Sequence, residues 1–313
     1  MTLILQLLIV GIAAGAIYAL IALGYTMVYG IIELINFAHG DIFMIGSLIS
    51  IAILGAFGVT NGSHPSGWFL ALVLLVAGLC SMLLCAVLGV VIERIAYRPL
   101  RNAPRLAPLI SAIGVSLILE DAGKLWQGNT NIPFPDIFPR VTYNVGPVHV
   151  SNIDITVVVV AVGLMLALQW LVTRTKMGRA MRAVAQDREA AALMGVNVDT
   201  IISFTFFVGA GLAGAAGFIY GLYYGSTIFS IGFSLGLVAF TAAVLGGIGN
   251  ILGAMLGGFL IGIVSEVLVP LIPATILPHG GEAWQRAVIF AVLILILIFR
   301  PSGLLGQQTP EKV

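Results

Sequence analysis

The chain has 313 residues, of which 60% are hydrophobic and only 9% charged, against about 25% charged in ordinary soluble domains. No water-soluble surface can be assembled from such a composition, and a net charge of +1 excludes a polybasic nucleic-acid binder. What remains is an all-α polytopic membrane protein with a single transmembrane domain over residues 1–313, because uncharged runs of roughly 20 residues cross the hydrocarbon of a bilayer as helices.

In chain order, the apolar runs predict spans at Leu3 to Tyr29, Ile42 to Val59, Trp68 to Ile92, Leu106 to Leu119 and Ile155 to Val172. They continue at Ile201 to Tyr224, Leu235 to Leu245, Ile251 to Leu271 and Trp284 to Phe299, giving eight or nine crossings. The first run lacks a basic leader and exceeds the length of a cleavable signal core, so it reads as a retained segment. Cys80 and Cys85 stand five residues apart in one apolar run, point in different directions from a helix and are not expected to form a disulfide. Leu235 to Leu245 is short for a crossing and is followed by Gly246-Gly247-Ile248-Gly249-Asn250, a set of helix breakers that fits a broken or re-entrant helix. Among the 38 glycines, Gly217, Gly221 and Gly225, and again Gly249, Gly253 and Gly257, recur at helical spacing. Such spacing suits either close helix packing or a narrow path.

Lys and Arg collect on the cytoplasmic side of membrane proteins. Here they cluster as Arg94, Arg98, Arg101 and Arg105, then as Arg174, Lys176, Arg179, Arg182 and Arg188, with Arg300 and Lys312 near the end. These groups mark the cytoplasmic face. The segment of about 126–154, carrying Pro133, Pro135, Pro139 and Pro147, falls between the two basic loops and becomes the main external loop. Counting spans back from Arg94 puts the N-terminus outside.

The cytoplasmic stretch of about 174–199 is alanine-rich between Arg179 and Met194 and stops at Gly195, which predicts a short amphipathic helix along the membrane face. Within it Glu189, Ala190, Ala191 and Gly195 have the spacing E-A-A, three residues, G, and so resemble the coupling helix of ABC importer permeases. The wider pattern of that helix, I-x-L-P, is replaced here by Thr205-Phe206-Phe207-Val208. The chain as a whole resembles the branched-chain amino-acid importer permeases. The resemblance rests on Gly15 to Gly30, on Asn36-Phe37-Ala38-His39-Gly40-Asp41, on Gly178 to Asp187 and on Ala243 to Ala254. It implies an ABC-importer permease that forms half of a translocation pathway, paired with a second homologous permease in the bacterial inner membrane. It also implies two ATPase subunits that hold ATP and Mg in place of this chain, and a periplasmic binding protein. On that reading Ala190, Leu193 and Met194 enter a groove on the ATPase, while Arg182, Arg188 and Glu189 contact its rim, with Asp187, Ala191 and Gly195 part of the same coupling segment.

A second segment sets Glu33, Asn36, His39 and Asp41 between two apolar runs. Ionisable groups at membrane depth are costly and mark a pathway, a site or a structural pair. Asn36, His39 and Gly40 would unwind the chain and Asp41 would cap a helix starting near Ile42. Paired with the break at Gly246, Gly247, Gly249 and Asn250, this predicts half-helices around a substrate path, with Glu33 meeting an ammonium group. A cytoplasmic turn accounts for the same four residues. Glu120, Asp121, Lys124 and Glu266 are expected to face an interface or the protein interior. The chain has no phosphate-cradling G-x-x-x-x-G-K-[ST]. Its four histidines, His39, His64, His149 and His279, have no metal-ligand spacing, and no catalytic set is visible, so the chain reads as a transport subunit and not an enzyme. The spans alone also suit an ion-coupled secondary transporter or a channel, and permeases for urea or amides share the general pattern.

Overall fold

The computed structural model describes residues 2–63, 67–101, 103–104, 106–137, 141–146, 148–273 and 284–306. His64, Arg105, Pro139, Pro147, His279 and Lys312 lie outside them. Every predicted span is a helix. Seven are long and apolar enough to cross a membrane: α1 (Thr2–Ile32), α2 (His39–Ala56), α3 (Gly67–Ile92), α4 (Leu106–Gln127), α5 (Asn152–Arg174), α8 (Val198–Tyr224) and α10 (Ile251–Ile263). A π turn, Glu93–Tyr97, and a 3-10 turn, Arg98–Leu100, prolong α3, and a second π turn, Val264–Leu268, prolongs α10. Two shorter apolar helices, α9 (Ile231–Gly246) and α11 (Gln285–Phe299), complete the bundle, and α6 (Lys176–Gln186) and α7 (Arg188–Leu193) join α5 to α8.

On the face opposite the basic loops, β2 (Thr142–Val145) pairs antiparallel with β3 (Val148–Ser151), and β1 (Ile132–Pro133) with β4 (Ser226–Thr227). The Gln6 side-chain amide donates to the His149 carbonyl and accepts from its N–H, both at 2.9 Å. The N-terminal end of α1 therefore lies on the face of the 126–154 segment, as counting back from the basic loops predicts. A Ser151/Asp154 capping box starts α5.

The centre of the bundle is α1, whose residues from Ala13 to Val28 are all buried. Its sequence shows no apolar stripe because no side of it faces lipid; a helix hydrophobic all round belongs inside. Around it pack α8, α10, α9 and α5. Gly258 and Gly262 of α10 lie directly on Ala19 and Gly15 of α1, the small-residue contact that lets membrane helices approach in the absence of a hydrophobic driving force. Lipid-facing residues concentrate on α3, α4 and α5, for example Leu75, Leu83, Ile110, Leu117, Val159 and Trp170. Cys80 and Cys85 are free thiols.

Two helices begin inside the bundle. After α1 ends, Glu33 takes φ +55° and residues 33–38 fold back, so that α2 starts at His39 beside Gly24 and Tyr25, with the Tyr25 and His39 rings 4.8 Å apart. At the other face α8 stops at Gly225 in the left-handed region, and residues 226–230 turn inward, Thr227 Oγ1 meeting Ser47 Oγ of α2 at 2.8 Å. There α9 starts, with Gly232 and Gly236 against Gly40. The chain thus enters the interior once from each face, the relation expected of inverted half-helices. This explains why the run Leu235 to Leu245, the seventh, looked short: α9 has 16 residues, about 24 Å of helix, and starts part-way through the bundle.

Candidate functional site

The start of α2 differs from the sequence expectation in register. The helix begins at His39, with Ala38 as an N-cap that offers no side-chain bond, and Asp41 falls in its first turn. The Asp41 carboxylate instead accepts from Ser116 of α4 and lies against Gly232 in the first turn of α9. It thus sits beside the first turns of α2 and α9, where helix ends carry partial positive charge, with its Oδ1 lacking a hydrogen-bond partner. Fully buried, Asp41 is an interhelix tie and not a local cap. Asn36 accepts from the Tyr97 hydroxyl at 2.8 Å. His39 is buried with its Nε2 unpartnered.

The two sequence breaks are not opposed. Gly246, Gly247, Gly249 and Asn250 form the tight turn between α9 and α10 on the basic face, with Gly247 and Gly249 at positive φ. Asn250 caps α10 through the Gly253 N–H at 3.1 Å. Residues 302–306 seal this turn: the Leu304 and Leu305 N–H groups donate to the carbonyls of Leu245 and Gly246, and the Asn250 amide donates to the Leu305 carbonyl. The internal counterpart of the 33–38 segment is 226–230, which lacks the glycine cluster that would have announced it. Glu33 likewise separates from His39 and Gly40. It lines a cavity of about 510 Å³ on the basic face, together with Tyr97, Arg101, Asp187, Arg188 and Glu189.

That cavity joins the half-helix loop to the connecting segment. The single helix expected from Arg179 to Met194 is broken at Asp187, whose backbone is extended and whose carboxylate caps α7 through the Ala190 N–H at 2.9 Å. Aspartate favours such a cap over a helix interior. The stop at Gly195 is as expected: φ is +83°, and the Gly195 and Val196 N–H groups return to the carbonyls of Ala192 and Ala191, a Schellman closure. Nothing surrounds the Gly195 Cα, so Gly195→Ala carries only the backbone cost. It should destabilise the chain by about 1–2 kcal/mol, read as a lower midpoint in thermal unfolding of the detergent-solubilised protein.

Arg182 and Arg188, expected at a partner's rim, instead fasten the segment to the spans. Arg182 donates to the Val172 carbonyl at the end of α5, and Arg188 donates to the Ile31 carbonyl at the end of α1 at 2.8 Å. Ala191 is buried. Ala190 and Glu189 are exposed, and Leu193 and Met194 project from the end of α7 at 88% and 84% exposure.

Beside this cavity is a charged cluster that sequence reasoning missed. Arg101 pairs with buried Glu93 and, at 2.5 Å, with Asp199; Arg98 also pairs with Asp199, and Ser203 donates to Glu93 at 2.7 Å. The signal available was Glu93 at the very end of an apolar run; its link to Asp199, about a hundred residues on, leaves no trace in the sequence.

The family model described as the branched-chain amino acid transport system permease component matches residues 7–297. The chain belongs to this family. The permease is 42% identical over 316 residues to the high-affinity branched-chain amino acid transport system permease protein BraD of Pseudomonas aeruginosa, covering 99% of this chain and 98% of that one. It is 41% identical over 314 residues to LivH of Escherichia coli K12, covering 99% and 97%. A probable branched-chain amino acid transport permease protein of Methanocaldococcus jannaschii is 29% identical over 212 residues, 63% of this chain and 60% of its own. No solved structure matches significantly. The permease is a multi-pass membrane protein whose relatives are permease components of transport systems.

Proposed function

We propose that this permease forms half of the translocation pathway of an ATP-driven importer of branched-chain or related amino acids in a bacterial inner membrane. It pairs with a second homologous permease, receives substrate from a periplasmic binding protein, and the permease pair docks two ATPases on its basic, cytoplasmic face. One observation carries the reading. The α7 tip presents Leu193 and Met194 to solvent while Arg188, five residues earlier, grips the end of the central helix α1. Exposed large apolar residues on a short, firmly capped helix suit a groove on a partner. Displacement of α7 would pass through Arg188 to α1, and through the Glu33 loop to the start of α2, biasing the bundle between outward-open and inward-open states. The family relatives, named for branched-chain amino acid transport, support the substrate class.

The test is Leu193→Asp with Met194→Asp in the complex reconstituted with its ATPases and second permease in vesicles. ATP-dependent leucine uptake should fall at least tenfold and the ATPases should dissociate. The permease itself should keep its unfolding midpoint, because exposed substitutions cost roughly 0.5 kcal/mol or less. Wild-type uptake that persists without ATP and collapses with the ion gradient would replace this reading with an ion-coupled carrier.

A further inference from the structure

Away from the basic face, a cavity of about 520 Å³ opens between the start of α9 and the facing sides of α4, α8 and α11. It shares Tyr18, Tyr220, Leu235 and Gln285 with a neighbouring cavity of about 370 Å³ that reaches Glu266, so the two form one cleft. The cleft lies on the half of the bundle that contains the strands, near the end of α4 and the beginning of α11.

Its lining carries an acid and a base, Glu120 half-buried and Arg286 exposed at the start of α11. Glu120 of α4 and Arg286 of α11 both face the larger cavity, yet the ion pairs among the described residues involve neither of them. An acid and a base that line one cleft attract each other if they can close the gap, and ionisable groups carried on membrane helices ordinarily pair with one another. Here each is left facing the cavity with the other beyond ion-pair distance. The same cavity is lined by the aliphatic side chains Ile228, Val238 and Ile289, with Ser230 and Ser234 among them. The nearby start of α9 already has the Asp41 carboxylate beside it, at Gly232.

Resting on the importer reading above, we propose that this cleft is a binding station for a zwitterionic amino acid with an aliphatic side chain. Arg286 takes the carboxylate, for which the guanidinium fork is shaped. Glu120 takes the ammonium group, and Ile228, Val238 and Ile289 receive the hydrocarbon. The ligand supplies the two opposite charges that the protein holds apart, so amines or carboxylates carrying only one of them are poor substitutes. Pairing with both ends leaves neither charge of the solute unmatched.

The experiment uses the reconstituted complex with both permeases, the ATPases and the binding protein, measuring leucine uptake and ATP hydrolysis together. Glu120→Gln and Arg286→Gln are each expected to lower uptake at least tenfold while ATP hydrolysis stimulated by the loaded binding protein stays within twofold. Glu120→Asp and Arg286→Lys should recover a substantial part of the uptake, which a merely structural role would not require. Thermal unfolding of each variant verifies that the protein is folded. If a variant proves unstable, leucine protection of the wild type against alkylation of Val238→Cys by a maleimide serves instead, with isoamylamine and isocaproate as the single-charge controls. Wild-type transport with unchanged uptake in both Gln variants, or protection by the single-charge compounds equal to that by leucine, overturns the binding station and leaves the importer reading intact. A wild-type complex that fails to couple uptake to ATP hydrolysis overturns the importer reading, and with it the reading of the cleft that rests on it.

Discussion

Gly262→Leu is expected to leave little correctly packed protein, with the midpoint of thermal unfolding lowered by a cost of about 3 kcal/mol or more, at the upper end of overpacking penalties. A Cβ at this position would fall on the Gly15 backbone and the Gly11 carbonyl of α1. Backbone cannot rotate away as a flexible side chain can. The only relief is to separate α1 from α10, and that loses dispersion contacts along the rest of the interface, where Gly258 sits equally close to Ala19. Gly55→Leu is the internal control. Its surroundings are open, so it should unfold within roughly 0.5 kcal/mol of the parent. Size-exclusion profiles and thermal unfolding of both variants in detergent decide the matter. Equal stability of the two would mean that α1 and α10 do not meet through these glycines.

The second large effect is expected at Arg101. Glu93 is 0% exposed and Arg101 only 16%, so Arg101→Ala strands a buried carboxylate with Ser203 as its remaining partner. Removing one member of a buried pair costs about 3–5 kcal/mol, whereas removing both is far milder. Glu93→Gln combined with Arg101→Ala should therefore be more stable than Arg101→Ala alone. Arg98→Ala tests the same logic from the other side. Its bond to Asp199 joins groups 42% and 47% exposed, a setting in which ion pairs contribute roughly 0–1 kcal/mol. A double-mutant cycle on unfolding midpoints separates the coupling of Arg101 with Glu93 from the loss of packing. Similar losses for Arg98→Ala and Arg101→Ala would contradict the burial difference.

The long spans were legible because twenty apolar residues without charge have few other fates, and the orientation of α1 followed from basic loops that α1 does not itself contain. The end of α7 was legible for a local reason, as Gly195 supplies the positive φ that a Schellman closure demands. Three features were not. Sequence placed the end of the fourth span at Leu119, whereas α4 continues to Gln127, because Glu120 faces a cleft and so can be carried on a spanning helix. The glycine cluster at 246–250 suggested an interior break but makes a surface turn. The real interior break at 226–230 is held by a pairing across the fold, Ser47 with Thr227, and distant partners are invisible to local pattern. Asp41 looked like a cap because Asp at the start of an apolar run usually is one; its partner Ser116 sits 75 positions away.

The burial of α1 on every side from Ala13 to Val28 bears on how the molecule is made. This helix leaves the ribosome before the other described spans, yet two of the helices that cover it, α8 and α10, begin at Val198 and Ile251. At a synthesis rate of about 5–20 residues per second, α1 waits in lipid for roughly ten to forty seconds before α10 can reach it. Its lack of charged residues makes that wait tolerable, since hydrocarbon is an acceptable interim neighbour for every side chain it presents except a few hydroxyls and one amide. The finished core is thus assembled by late arrivals closing around an early one, and a chain cut short before α8 would keep its most buried helix on display to the quality-control proteases of the membrane.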